Sequence, residues 1–330
     1  MDISLPFDRA AVRDPSRWQP LRYEDAAGVG VTPGFVVPHG QHVTPFALRS
    51  PDELRSPTSP AQYGTLQYAA QAAALAYLSA RLTDEQKMIA EYWADGPRSE
   101  LPPGHWDLFA QFVVERDSSG DPELDLDRAV KLFFALTNAI FDAGIVSWDN
   151  KRTFDSVRPI TALRYLFQGH RIPSWGGPGE GTQLIRGEEW FPYQATTFPT
   201  PPFAEYSSGH STFSAAGAEI LRLFTGSDAF GASVTFPARS SRFEQGLVPR
   251  NEVTLTWPTF TAAADQAGIS RRLGGIHFEQ GDLDGRAGGR AVGQCARAKG
   301  QSFFDGSARS RREESRILCG SLVGQRRTNE

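Results

Sequence analysis

Apolar residues recur along most of this chain at three- and four-residue intervals, the spacing of helices that bury one face. The first 58 residues are the exception: they are rich in proline and glycine, show little periodicity, and read as an irregular arm. Helices take over from residue 59, beginning with an alanine-rich, Leu- and Tyr-bearing stretch over 61–82. Thr83 and Gln86 have the spacing of a capping box, so a second helix should open there and stop at Asp95-Gly96-Pro97. A third should run from His105-Trp106 to residue 115. Asp125 or Asp127 then caps RAVKLFFALTNAIFDAGIVSW, which is apolar nearly all round and belongs at the centre of a bundle. Pro159, at a tolerated first helical position, opens ITALRYLF.

Residues 169–206 form a long irregular stretch whose aromatics (Trp175, Trp190, Tyr193, Phe203 and others) suit an ordered wall. Helix returns at 208–224, followed by loops over 226–260 with a short hairpin around EVTLTW. Residues 270–276 read as helical with a break at Gly274-Gly275, and a last helix should span 283–304. Its segment GDLDGRAGGRAVG is a poor helix by propensity. The pattern therefore predicts an all-α helical bundle in three parts: an arm over 1–58, a helical domain over 59–304, and a polar, flexible tail over 305–330.

Composition narrows the function. A chain of 330 residues suits one large domain or two ordinary ones. Its net charge of −4 argues against a general nucleic-acid binder. No run of about 18 purely apolar residues exists, so no membrane span is expected. The start, MDISLPFDRAAVRD, does not read as a signal peptide. The chain as given therefore reads as cytoplasmic, with export open should the N-terminus be truncated. Cys295 and Cys319 are too few for a disulfide framework and read as unpaired thiols. Lysine occurs only at Lys87, Lys131, Lys151 and Lys299, which makes each easy to weigh. His39 and His42 lack a third ligand and read as loop residues, while His105 and His170 match no site motif.

Three segments carry candidate chemistry. Lys151 and Arg158 lie seven apart, although Pro159 disfavours helix at Arg158, and by themselves they would suit a solvated basic face. Ser208-Gly209-His210 precedes an Ala-rich helix. Unpaired N–H groups there make an anion site, and a histidine in the first turn can move a proton. Alone, the same string is as well a plain N-cap followed by an incidental histidine. Arg271 and His277 flank Gly274-Gly275, and His277 alone would suit a packed histidine.

Together the three read K-x6-R-P, S-G-H and S-R-x5-H. This resembles the signature shared by the vanadium-dependent haloperoxidases and the type 2 phosphatidic-acid phosphatase superfamily. PPFAEYSSGHSTF, and Trp148 three residues before Lys151, resemble the bacterial haloperoxidase-like branch. The resemblance implies a helical bundle holding vanadate and oxidising halide with hydrogen peroxide to hypohalous acid, with no haem and no flavin. It places Lys151, Arg158, Arg271, Ser208 and Gly209 around the anion, His277 as the protein ligand to vanadium, and His210 as the acid–base group. It also implies that the second nitrogen of His277 donates to a carbonyl or carboxylate. Trp148, Phe203, Asp95 and Asp282 fall in the supporting shell or halide pocket. Of these, Asp95 is a candidate to pair with Arg271, and Phe203 is similar to the aromatic of chloride-oxidising types.

The same pocket would serve a soluble acid phosphatase with His277 as nucleophile and a phosphohistidine intermediate. That pattern has an aspartate four after the last histidine. Here the position is Gly281, with Asp282 and Asp284 nearby. A third reading is an incomplete or inactive structural member, because only about 90 residues precede EYWADG where the family carries a longer helical region. Expected partners are hydrogen peroxide, halide and an organic acceptor, with no nucleic acid and no membrane span. A homodimer is left open.

Overall fold

A computed structural model describes residues 1–308, so most of the expected tail lies outside the described residues. Among the described residues, eight α-helices form the body: α1 Leu66–Ser79, α2 Asp84–Tyr92, α3 Leu101–Arg116, α4 Pro122–Phe154, α5 Pro159–Leu166, α6 Gly209–Thr225, α7 Phe260–Leu273 and α8 Glu279–Phe304. Three antiparallel two-stranded sheets accompany them: β1 Tyr23–Glu24 with β2 Gly30–Val31, β3 Arg171–Trp175 with β4 Thr182–Arg186, and β5 Ala229–Phe236 with β6 Val253–Thr259. The helical bundle expected from the sequence is present, but strictly all-α is corrected. The β5–β6 hairpin contains EVTLTW, whereas β3–β4 falls inside the stretch read as irregular.

Helix starts follow local chemistry. The Thr83–Gln86 capping box opens α2 as expected. The cap of α4 is Asp121, not Asp125 or Asp127, with Pro122 in the first turn. Asp125 instead accepts from Ser118 and Ser119 in the turn before the helix. α7 begins ten residues before the expected 270, because Thr259 caps it by accepting from Ala262 N.

Helices α4, α6, α7 and α8 pack around one another, and a large core holds Trp93, Trp106, Phe109, Trp257 and Phe260. α4 has the length and hydropathy to cross a membrane, which the count of purely apolar residues overlooks. Half of that window is buried in this fold, and the helix also buries Asp142, Asp149 and Lys151.

The glycines of α8 explain its composition. A Cβ at Gly285 would lie 2.9 Å from the Ser208 carbonyl oxygen, and one at Gly293 would lie 2.8 Å from Glu219 Cβ. A Cβ at Gly289 would overlap the Thr212 carbonyl. The low helix propensity is thus the condition for α6 to lie against α8.

The arm, irregular apart from the β1–β2 pair, is fastened. Asp142 accepts the N–H groups of Phe46 at 2.6 Å and Ala47 at 2.7 Å. Arg55 makes a fork of two 2.7 Å bonds to Asp149. Trp148 donates to the Val36 carbonyl at 2.9 Å. The expectation of two unpaired thiols fails at Cys295, which is buried in α8 and disulfide-bonded, so a spacing too sparse for a framework still leaves it paired. Cys319 lies outside the described residues.

Candidate oxyanion site

Lys151 occupies the last turn of α4 and is fully buried. Its ammonium donates to the carbonyls of Ala204 and Glu205, each at 3.0 Å, and of Ser207 at 2.6 Å. Those three bonds use its three donors and tie α4 to the loop before α6. Burial, with repulsion from Arg158, holds its pKa well below the ordinary lysine value. Asp155, in a left-handed conformation, ends α4, so Lys151 and Arg158 do not share a continuous helix.

Arg158 is the N-cap of α5. Its Nε donates to the Phe203 carbonyl at 2.6 Å, and Nη1 donates to Ile276 O at 2.9 Å and to His277 Nε2 at 3.1 Å. Nη2 is buried without a partner. The Phe203 ring lies 4.7 Å from the Arg158 guanidinium and 4.8 Å from Lys151 Nζ, so both cations rest on it. Trp148 backs that ring at 5.0 Å.

Ser208 caps α6, its hydroxyl accepting from Ser211 N while its own N–H donates to the Gly281 carbonyl. Gly209 and His210 are the first two helical residues, where amides have no intrahelical partner. His210 Nε2 is buried, hydrogen-bonds nothing, and sits 3.8 Å from Asp95 Oδ2. Burial first, then Arg271 and His105, hold its pKa well below the ordinary histidine value.

Arg271, in the last turn of α7, donates to Ser270 Oγ at 3.0 Å, Ala90 O at 3.1 Å and Ala94 O at 3.4 Å. Gly275, at φ 71°, then turns the chain so that His277 is directed inward. His277 is 2% exposed. Burial, Arg158, Lys151, His210 and Arg271 all disfavour its protonation, which places the five groups in one electrostatic neighbourhood.

The structure brings every expected anion-binding and catalytic residue to this place, but it revises the supporting ones. Asp95 makes no ion pair with Arg271 within 4.0 Å but acts on it through its charge. It bonds His105 Nδ1 at 3.1 Å and approaches His210, its backbone being left-handed (φ 40°). Asp282 touches neither histidine and instead accepts from Ser211 Oγ at 2.9 Å and from Arg286. Asp284 accepts from Thr58 and Tyr206.

Two residues were missed. Glu205, 2% exposed, accepts from His277 Nδ1 at 2.8 Å and from Phe278 N at 3.1 Å. The need of a buried histidine for a second partner signals such a group without saying which it is. The other is His105, which links Tyr92 OH at 2.9 Å to Asp95, stacked on Trp93, and so supports the carboxylate beside His210. Asp95, exposed Glu100 and His105 are also close enough to share a cation, but two of their ligand atoms already bond each other.

The family model described as the VCPO second helical-bundle domain matches residues 131–306, more than half of the chain and all three motifs. This chain belongs to the vanadium-dependent haloperoxidase family. Among its family relatives, the vanadium chloroperoxidase of Curvularia inaequalis is 29% identical over 143 residues, 40% of this chain and 22% of that protein. A bacterial vanadium-dependent chloroperoxidase is similar at 28% identity in both states, over 62–64% of its own length. Its holo-type structure has a TM-score of 0.78 over 88% of this haloperoxidase-family chain, and its apo-type 0.81 over 90%. A bacterial vanadium-dependent iodoperoxidase matches with a TM-score of 0.63 and 25% identity, over 87% of this chain and 62% of its own. The chain thus spans less than two thirds of the length of these relatives.

The site fits an oxyanion such as vanadate. Arg158 Nη2 is a buried donor without a partner, the first amides of α6 have no intrahelical partner, and His277 offers a neutral imidazole.

Proposed function

We propose that this protein is a haloperoxidase that oxidises halide with hydrogen peroxide at a vanadate held by Lys151, Arg158, Ser208, Gly209, Arg271 and His277. The observation that carries the reading is His277: a buried imidazole, fixed by Glu205 on one nitrogen, facing Arg158 on the other, and set among three cations. Bound vanadate would supply Lewis acidity that activates peroxide toward halide without a change in its own oxidation state.

The protein's share is binding and proton handling. Arg158 and Arg271 offer planar donor forks for oxygen atoms, and Lys151 adds a fixed charge. The N-terminus of α6 adds oriented amides. His210 is neutral before the anion binds, so its unprotonated ring nitrogen can take a proton from hydrogen peroxide and return it later. Asp95, steadied by His105, lies where it would favour the charged form of that ring. A cavity of about 880 Å³ opens onto Arg271, with Arg98, Arg242, Phe198 and Phe243 on its walls, and gives peroxide, halide and an organic acceptor a way in.

The test is a halogenation assay with peroxide, with and without orthovanadate, beside a phosphatase assay. Vanadate-stimulated halogenation is expected. Phosphate release inhibited by vanadate would select a phosphatase instead, and neither activity would select an inactive member. His277→Ala should abolish vanadate binding, and His210→Ala should keep binding but lose turnover. Peroxide-dependent halogenation surviving in His277→Ala would sink the assignment.

A further inference from the structure

The tautomer of His277 follows from its neighbours. Nε2 faces Arg158 Nη1 at 3.1 Å, and a guanidinium has donors only. Nε2 must therefore carry the lone pair, and the proton sits on Nδ1. Nδ1–H donates to Glu205 Oε1 at 2.8 Å, and the same oxygen accepts the Phe278 amide at 3.1 Å. Two donors on one oxygen, with Lys151 and Arg158 close by, hold the carboxylate in a single orientation.

Glu205 comes from the loop before α6, while His277 comes from the turn before α8, so the pairing depends on how closely the two segments approach. Gly281 sets that distance. A Cβ there would overlap Glu205 Oε1 and lie 2.9 Å from its Cδ, while Ser208 N–H donates to the Gly281 carbonyl at 2.9 Å. The glycine is thus locked beside the carboxylate with no room for a side chain.

We propose that Glu205 is the positioning residue that fixes His277 with its Nε2 lone pair toward the oxyanion, and that residue 281 is glycine because this carboxylate fills the space. This rests on the oxyanion-site reading but not on any one reaction. The geometry has a corollary. The β-carbon of an aspartate at 281 would press against Glu205 Oε1, so its carboxylate would enter the space that the Glu205 carboxyl now fills. Gly281→Asp and Glu205→Ala should therefore each be harmful alone and compatible together.

The experiment has two readouts on the vanadate-free protein. The first is the His277 tautomer, read by nitrogen NMR on ¹⁵N-histidine-labelled protein. The wild type should show protonated Nδ1 and unprotonated Nε2, and Glu205→Gln, which keeps an acceptor oxygen, should preserve this. The second is equilibrium binding of orthovanadate by calorimetry. Glu205→Ala should weaken it by roughly 10–100-fold, the usual range for losing such a partner. Gly281→Asp alone should weaken it too, and the double variant should recover roughly tenfold or more over Glu205→Ala.

A wild-type His277 protonated on Nε2 overturns the proposal, and this holds even if no variant folds. So does a folded Glu205→Ala that binds vanadate as the wild type does, or a double variant no better than Glu205→Ala. A wild type that binds no vanadate yet shows the Nδ1–H tautomer would sink the oxyanion reading and leave the positioning of His277 standing.

Discussion

Gly288 and Gly289 are neighbours on α8 with opposite surroundings, and the pair tests how α6 is held. A Cβ at Gly288 meets no heavy atom within 4 Å, so Gly288→Ala changes helix propensity alone. It should stabilise the protein by about 1 kcal/mol. Gly289→Ala brings the same gain but sets its Cβ over the Thr212 carbonyl oxygen, 2.9 Å from Ala215 Cβ and 3.0 Å from Thr212 C. These are backbone and Cβ atoms of α6, which no rotamer change can move. The helices must separate, at a cost of about 1–3 kcal/mol for overpacking. The two variants should therefore differ by about 1–3 kcal/mol, or roughly 1–5 °C in Tm for a chain of this size. Thermal unfolding by circular dichroism reads the difference, and vanadate affinity should fall only in Gly289→Ala, because α6 carries Ser208 to His210. Equal shifts in Tm for the two variants would refute the close packing of α6 on α8.

Two further outcomes follow from buried polar groups. His210 and His277 both have folded pKa values below the unfolded 6.5, so below that pH the unfolded chain binds protons that the folded one does not. Each histidine then lowers stability by about 1.4 kcal/mol per unit as pH falls from 6.5 toward the folded value. Glu205, raised to about 7 by burial against the pull of Lys151 and Arg158, acts oppositely between about 4.5 and 7 and cancels one of them. As pH falls below 6.5, vanadate-free wild type should thus lose stability more steeply than His210→Asn, and parallel slopes in urea titrations would contradict the buried neutral state of His210. Separately, Asp142→Ala leaves the Phe46 and Ala47 amides unpaired and should cost about 2–4 kcal/mol of unfolding free energy. A loss under about 0.5 kcal/mol would mean that the arm is not fastened there.

The residues of the candidate site were legible because their chemistry is local. Lys151, the serine cap with its histidine, and Arg271 with His277 each announce a type of interaction in a few consecutive residues. The α2 capping box and the proline start of α5 were legible for the same reason. What escaped depends on contacts distant in sequence. Glu205 becomes the partner of His277 only when segments 72 residues apart meet. Asp95 turns to His105 rather than Arg271 because of a left-handed backbone that Asp-Gly permits but does not dictate. The α8 glycines read as a fault in a helix until α6 lies against them, because propensity counts what a residue does alone and not what its missing Cβ admits.

The irregular loop and the helix ends share one electrostatic role. Lys151, Arg158 and Arg271 are all at most 2% exposed, and burial pulls the two arginines down to about 9 and about 10. Removing three cations from water is costly, and an equal number of paired carboxylates would cancel the field that an anion needs. The fold uses carbonyl oxygens instead. Lys151 bonds three, from Ala204, Glu205 and Ser207; Arg158 bonds those of Phe203 and Ile276; Arg271 bonds those of Ala90 and Ala94 at the end of α2. Carbonyl dipoles solvate each cation on its outer side without neutralising it. Glu205 and Asp95 are the carboxyl groups nearest the two histidines, and burial raises the pKa of Glu205 so that it is not fully charged. The positive charge therefore survives where Nη2 of Arg158 remains unpaired. Carbonyls not already bound to one another in a ladder are found in loops and at helix ends, so a site built this way needs irregular chain around it. The stretch from Pro201 to Ser208 has no secondary structure because its oxygens are engaged in holding the cations in place.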